Sequence, residues 1–108
     1  MSEAIADNPQ RQRFEILVDG ELAGFVTYRR QPGQIEFIHT EIDDRFEGQG
    51  LGGKLVAFVL DDARGNGLAV LPSCPFVKDY IQRHREYVDL VPDDRLGEFD
   101  LVRASRDG

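Results

Sequence analysis

Cationic side chains are in short supply in this chain. Lys and Arg total 13 against 20 Asp and Glu, a formal charge of −7 over 108 residues. Nonspecific nucleic-acid binding needs a basic face, so no nucleic-acid partner is expected. There is one cysteine, Cys74, which excludes an internal disulfide. The two histidines, His39 and His84, stand far from each other and from Cys74 in sequence, and no zinc-type spacing results, so no metal is expected. No apolar run approaches the roughly 18 residues of a membrane span, and the start, Met1-Ser2-Glu3-Ala4, lacks a charged-then-apolar leader pattern. The expectation is a cytoplasmic protein with no membrane partner. No internal repeat is present.

What is there fits one compact domain. Hydrophobic residues make up 41% of the chain, enough for a modest core. Residues 1–12 are polar and contain Pro9, and they read as a flexible tail. Residues 13–102 read as the domain, and residues 103–108 as a second tail.

Residues 14–18 and 22–28 read as strands. Asp19-Gly20 between them is a two-residue hairpin signal, because a type I′ turn needs positive φ at both central residues. Pro32-Gly33 marks a second turn, and residues 35–43 are a third, β-branched strand. Residues 51–63 carry Leu51, Leu55, Phe58, Val59 and Ala63 at helical spacing, widened by Val56 and Leu60. Gly65-Asn66-Gly67 stops that helix. The apolar run 68–71 reads as a buried strand reached by a helical crossover, hence parallel to the third. Pro75 at a first helical position makes Cys74 the N-cap of a second helix over 75–83, with Phe76, Val77, Tyr80 and Ile81 turned inward. Residues 87–91 read as a last strand, 92–97 as an acidic turn, and 99–102 as an edge strand. The class is α/β (α+β): an antiparallel meander, a β-α-β unit and a second helix.

The stretch between the third strand and the first helix is Arg45-Phe46-Glu47-Gly48-Gln49-Gly50-Leu51-Gly52-Gly53-Lys54. Strand, glycine turn, helix is the arrangement that aims unpaired backbone N–H groups at an anion, helped by the helix dipole. Glycine permits φ > 0 there without a Cβ in the way. Gly48 to Lys54 meets most of a Walker A pattern but places Leu55 where the magnesium-binding hydroxyl belongs. Gly48, Gly50 and Gly53 meet the dinucleotide fingerprint, yet no acidic residue stands in the window around Val70, about 20 residues on. A turn that binds nothing is the plain structural alternative.

The spacing Arg45-x-x-Gly48-x-Gly50, set between a strand and a helix, resembles the pyrophosphate loop of the GCN5-related N-acetyltransferases. With the meander, the parallel strand and the second helix, the resemblance covers roughly residues 14–90. His39-Thr40, Cys74-Pro75-Phe76 and Tyr80-Ile81 resemble the very small single-domain members of that superfamily, of the YjdJ type. The resemblance implies transfer of an acetyl group from acetyl-CoA to an amine, by direct attack in a ternary complex. The alternatives kept beside it are a coenzyme A-binding regulatory module without efficient turnover, and a nucleotide-binding protein using the same loop.

The resemblance also implies a site. Backbone N–H groups of residues 46–52 would hold the pyrophosphate, with Arg45 and Lys54 supplying the positive charge the chain otherwise lacks. The coenzyme contacts would run through Arg45, Phe46, Glu47, Gly48, Gln49, Gly50, Leu51, Gly52, Gly53, Lys54, Cys74 and Phe76. Backbone groups near Ile38 and Thr40 would polarise the thioester carbonyl. Cys74, at a helix N-terminus where thiolates are favoured, is a candidate nucleophile or proton donor, with a small space-filling residue as the plain alternative. His39 and Glu41 share one side of their strand and are candidate bases for an ammonium acceptor, or simply solvated. Tyr80 reads as core and His84 as a dipole partner at a helix end.

Two departures from larger members stand out. Only Asp19-Gly20 joins the first two strands, with no helical pair to wall the acceptor side. Cys74 takes the register position of an Asn, and Ile81 that of a Tyr acid. An amine acceptor, a protein lysine or a small amine, would meet an open face. Monomer and weak dimer are both compatible with an unpaired sheet edge.

Overall fold

The computed structural model describes residues 2–101. Five strands form one sheet in sequence order: β1 (Glu3–Asn8), β2 (Arg13–Val18), β3 (Glu21–Gln31), β4 (Gln34–Ile42) and β5 (Ala69–Pro72). The first four are antiparallel neighbours, and β5 lies parallel to β4. The crossover between them is helix α1 (Leu51–Gly65), and helix α2 (Pro75–Arg83) follows β5. Short 3-10 turns over Arg85–Leu90, Asp93–Arg95 and Gly97–Phe99 complete the described chain.

The turns take the forms their residues demand. Asp19 and Gly20 both hold positive φ, 51° and 85°, as a type I′ hairpin requires. α1 ends in a Schellman motif. The Leu68 amide donates to the Ala63 carbonyl at 2.9 Å and the Gly67 amide to that of Arg64 at 3.2 Å, with Gly67 at φ 68°. Cys74 is the N-cap of α2 in extended conformation, with Pro75 in its first turn.

One face of the sheet carries the core. Phe14, Ile16, Val18, Val26, Tyr28, Ile35 and Phe37 are buried there with Leu51, Leu55, Val56, Val59, Leu60 and Ala63 of α1. Each large side chain so buried contributes about 1.5–3 kcal/mol. Alternation sends Phe25, Thr27, His39 and Glu41 to the other face. Two bulges interrupt that alternation. Ala23 is an extra residue in β3 against β2, and Ile38 is an extra residue in β4 against β3. A bulge bends its strand and re-aims the side chains beyond it.

Several expectations are corrected. Within residues 1–12, read as a tail, Glu3–Asn8 is an edge strand paired to β2 throughout. Its apolar signal is weak because only Ile5 leans on the core. Polar ties hold it instead. Asp7 accepts from the Tyr28 hydroxyl and pairs with Arg30, and Glu3 pairs with Lys54. Residues 87–91, read as a strand, lie largely in the 3-10 turn Arg85–Leu90. The pairs Tyr87/Leu90 and Val88/Val91 are three residues apart, and all four are buried, which suits a three-residue period better than alternation. Phe99 closes another such turn instead of pairing at a sheet edge. The Leu101 amide donates to Leu96. Val102 and the tail expected at 103–108 lie outside the described residues. Phe58 and Phe76, expected to face inward, are 41% and 45% exposed.

Candidate functional site

The glycine turn has the geometry of an open anion cradle. Asp43 caps a short 3-10 turn over Asp44–Phe46, its carboxylate accepting from the Arg45 amide at 2.9 Å. The chain then passes through Gly48 at φ 82° and Gly50 at φ 75°. Gly50 is the N-cap of α1, with no side chain bonded to the helix end and no acidic residue in the first turn. The first-turn amides therefore lack intrahelical and side-chain partners. They face a cleft of about 280 Å³ walled by Ile42, Phe46 and Phe76.

The four glycines of the turn do different things. A Cβ at Gly48 or Gly50 would meet nothing within 4 Å, so backbone conformation is what requires glycine there. A Cβ at Gly52 would come within 2.7 Å of the Phe76 ring, and one at Gly53 within 3.8 Å of Tyr80. Those two glycines let α2 settle against the start of α1. Leu51 is buried in the core, so its amide alone is available to the cleft. Glu47 borders the cleft, whereas Gln49 is exposed outside its lining.

The basic residues beside the turn are already paired. Arg45 contacts Asp43 at 3.2 Å and Glu21 at 3.4 Å, and its guanidinium lies 5.2 Å from the centre of the Phe46 ring. Hydrogen bonds from the Arg45 side chain and amide hold the Asp43 carboxyl below the usual carboxylate range. Lys54 is bound to Glu3 at 2.9 Å, a partner the sequence reading missed because it lay in the supposed tail.

β4 and β5 pair only from Gln34/Ala69 to Phe37/Pro72, and β4 then continues to Ile42 without β5 beside it. A gap therefore opens between the two parallel strands beyond Phe37 and Pro72. Cys74 sits at its inner end, its amide donating to the Phe37 carbonyl at 2.8 Å. Its thiol is buried and lies 3.3 Å from the Thr40 hydroxyl. Ile38, the bulge residue, is 39% exposed. His39 Nε2 and Glu41 Oε1 are 3.1 Å apart on the open face, each side chain about 60% exposed. The candidate catalytic residues are thus split by β4: Cys74 and Thr40 on the core side, His39 and Glu41 on the other. Beside Glu41 a shallow cleft of about 200 Å³ is walled by Leu22 and Phe25.

Among the described residues no group of three His, Cys, Asp or Glu could hold a metal ion. None of the helices there is long and apolar enough to cross a membrane.

A mixed sheet with a crossover helix opened by a glycine anion cradle, and a gap between parallel strands beside it, defines an α+β domain of the acetyltransferase class. The family model of the GCN5-related N-acetyl-transferases matches residues 13–90, well over half the chain, and the chain belongs to that family. The solution structure of a GCN5-like protein from Staphylococcus aureus is 26% identical, at a TM-score of 0.67, covering 97% of this chain and 96% of that one. Two larger proteins share the fold at a TM-score of 0.50. They are Ard1 from Thermoplasma volcanium (21% identical, 59% of this chain and 44% of that one) and ribosomal-protein-alanine N-acetyltransferase from Brucella melitensis biovar Abortus 2308 (22% identical, 74% and 60%). A search of curated proteins returns no match.

Proposed function

We propose that this chain transfers the acetyl group of acetyl-CoA to an amine by direct attack within a ternary complex. The observation that carries the reading is the uncapped start of α1, opened by Gly48 and Gly50 at positive φ. Its amides are suited to the coenzyme pyrophosphate. The acyl arm would run along the free end of β4 toward Cys74, bringing the thioester beside Ile38 and Thr40.

The amine would approach from the open face. The Leu22–Phe25 cleft suits the alkyl part of a protein lysine or a small amine, and Glu41 its positive end. Facing a carboxylate, His39 Nε2 carries the proton, which leaves Nδ1 as the free base. His39 would take a proton from the ammonium, the amine nitrogen would bond to the carbonyl carbon and lose its second proton to water, and the C–S bond would break. The departing thiolate would take a proton from the Thr40–Cys74 pair on the core side.

A second reading, coenzyme binding without efficient turnover, is favoured by the exposure of His39 and Glu41. Acetyl transfer to lysine peptides and alkyl amines, followed by mass spectrometry, separates the two. Turnover that falls at least tenfold in His39→Gln with an unchanged KM for acetyl-CoA supports the transferase. Acetyl-CoA binding without product from any amine supports the module.

A further inference from the structure

The cleft over the glycine turn does not end at Phe76. Phe76 and Gly53 also wall a second cleft, of about 360 Å³, that runs along α2 past Tyr80 to Arg83 and His84. Apart from Gly53 and Phe76, its walls lie outside the glycine turn and its neighbours. Its floor is aromatic. Tyr80 and His84, one helical turn apart, stack with ring centroids at 3.9 Å and planes 16° from parallel. His84 Nδ1 lies 3.0 Å from the Tyr80 carbonyl oxygen, so that nitrogen carries the proton and donates, which fixes the imidazole plane. Tyr87 backs the Tyr80 ring at 6.1 Å. The rings are set before any ligand arrives, which lowers the ordering cost of binding.

We propose that the Tyr80–His84 stack, flanked by Phe76, seats the adenine ring of acetyl-CoA, an inference that rests on the coenzyme reading above. A pyrophosphate held at Gly48 and Gly50 sends one arm of the coenzyme toward Cys74. The nucleoside must leave by another path, and the cleft beginning at Gly53 is continuous with the cradle. It has room for a purine and its ribose. Planar π faces stack favourably on a purine. Arg83, 73% exposed and paired with Asp79 one turn back, stands at the same cleft with a guanidinium for the ribose phosphate. The competing ring, Phe46, lies under the Arg45 guanidinium.

Calorimetric titration with acetyl-CoA, and with S-acetyl-4′-phosphopantetheine, which lacks the nucleoside, tests this. Tyr80→Leu should weaken acetyl-CoA binding about tenfold, and Tyr80→Phe should leave it unchanged. His84→Gln, at a half-buried helix end that contributes no side chain to the hydrophobic core, should weaken it several-fold. None of the three should alter binding of the truncated thioester, whose wild-type affinity should be well below that of acetyl-CoA or too weak to measure. Equal affinity of the wild type for both ligands overturns the proposal, as does unchanged acetyl-CoA affinity in both Tyr80→Leu and His84→Gln. Loss of binding in Phe46→Ala alone would move the adenine to the other side of the turn. Failure of wild type to bind acetyl-CoA would instead remove the coenzyme reading on which the proposal stands.

Discussion

Gly50 offers the most direct test of the cradle, because its two demands can be separated. It holds φ 75° at the head of α1, and a Cβ there would meet nothing within 4 Å. Gly50→Ala therefore introduces strain without a clash, at a cost of about 1–2 kcal/mol. In a domain of this size 1 kcal/mol moves Tm by roughly 4–8 °C, so the free variant should melt about 5–15 °C lower. Gly50→Glu carries the same strain and adds a carboxylate. Held about 6 Å from a bound pyrophosphate, that charge repels each phosphate charge by about 0.7 kcal/mol at the dielectric of water and about 3 kcal/mol at an effective value near 20. Two phosphates give a loss on the order of tenfold at the low end and far more at the high end. Thermal shift reads both effects. Acetyl-CoA at about 100 times its Kd should add roughly 2.7 kcal/mol to the wild type, an upward shift of about 10–20 °C. Gly50→Ala should retain part of that shift and Gly50→Glu none. A folded Gly50→Glu protein with the full wild-type shift would place the phosphates elsewhere and refute the reasoning.

Three further outcomes follow from the same geometry. Glu3→Gln frees Lys54 and should tighten acetyl-CoA binding about two- to fivefold at low salt, a gain that shrinks as ionic strength rises, both read by calorimetry. Cys74→Ala should cost about 1–2 kcal/mol in a denaturant melt, bind acetyl-CoA nearly as wild type and slow any turnover; an acetyl adduct on wild-type Cys74 in intact-mass spectra, lost when an amine is added, would overturn direct transfer. Burial, with the hydroxyl donating to Asp61 at 2.8 Å, raises the Tyr87 pKa to about 12. A raised folded-state pKa gives stability that is complete below about pH 10 and lost as pH climbs toward 12, so wild type should lose on the order of 2 kcal/mol more than Tyr87→Phe across that window in denaturant melts.

The parts of the fold that were legible are those fixed by local chemistry. Asp19-Gly20, the stop at Gly67 and the Cys74-Pro75 start of α2 are each dictated by backbone conformations that few residues tolerate, and each stands where expected. β1 was not legible because its hold on the sheet is polar and distant: Asp7 reaches Tyr28 and Arg30, and Glu3 reaches Lys54. The turn over Arg85–Leu90 was misread because its apolar residues suit two periods, and only packing selects three. At the candidate site the same division holds. The positive φ of Gly48 and Gly50 belongs to the motif, whereas the service of Gly52 to Phe76 depends on where a second helix lands. His39 and Cys74 could not be assigned to opposite sides of β4 from the sequence, because the Ile38 bulge shifts the alternation between the core face and the open one.

The pairing of Arg45 and Lys54 changes how a chain of charge −7 can hold an anionic coenzyme. Had both side chains pointed freely at the cleft, side-chain charge would have sufficed to explain binding. Instead Arg45 is held by Asp43 and Glu21, and Lys54 by Glu3, all on exposed surface where such pairs are weak and exchangeable. Among the described residues, the backbone amides at the head of α1 have no side-chain partner; they carry no formal charge and cannot be neutralised by a neighbouring carboxylate. On the proposed reading, anion recognition would reside in backbone direction, set by two glycines, while the acidic surface would stay available to a cation. β4 separates the two: the cradle and the buried thiol belong to its core side, and His39, Glu41 and the Leu22–Phe25 cleft to its open side. Two substrates of opposite charge could thus reach one strand from opposite faces without either crossing the other's field.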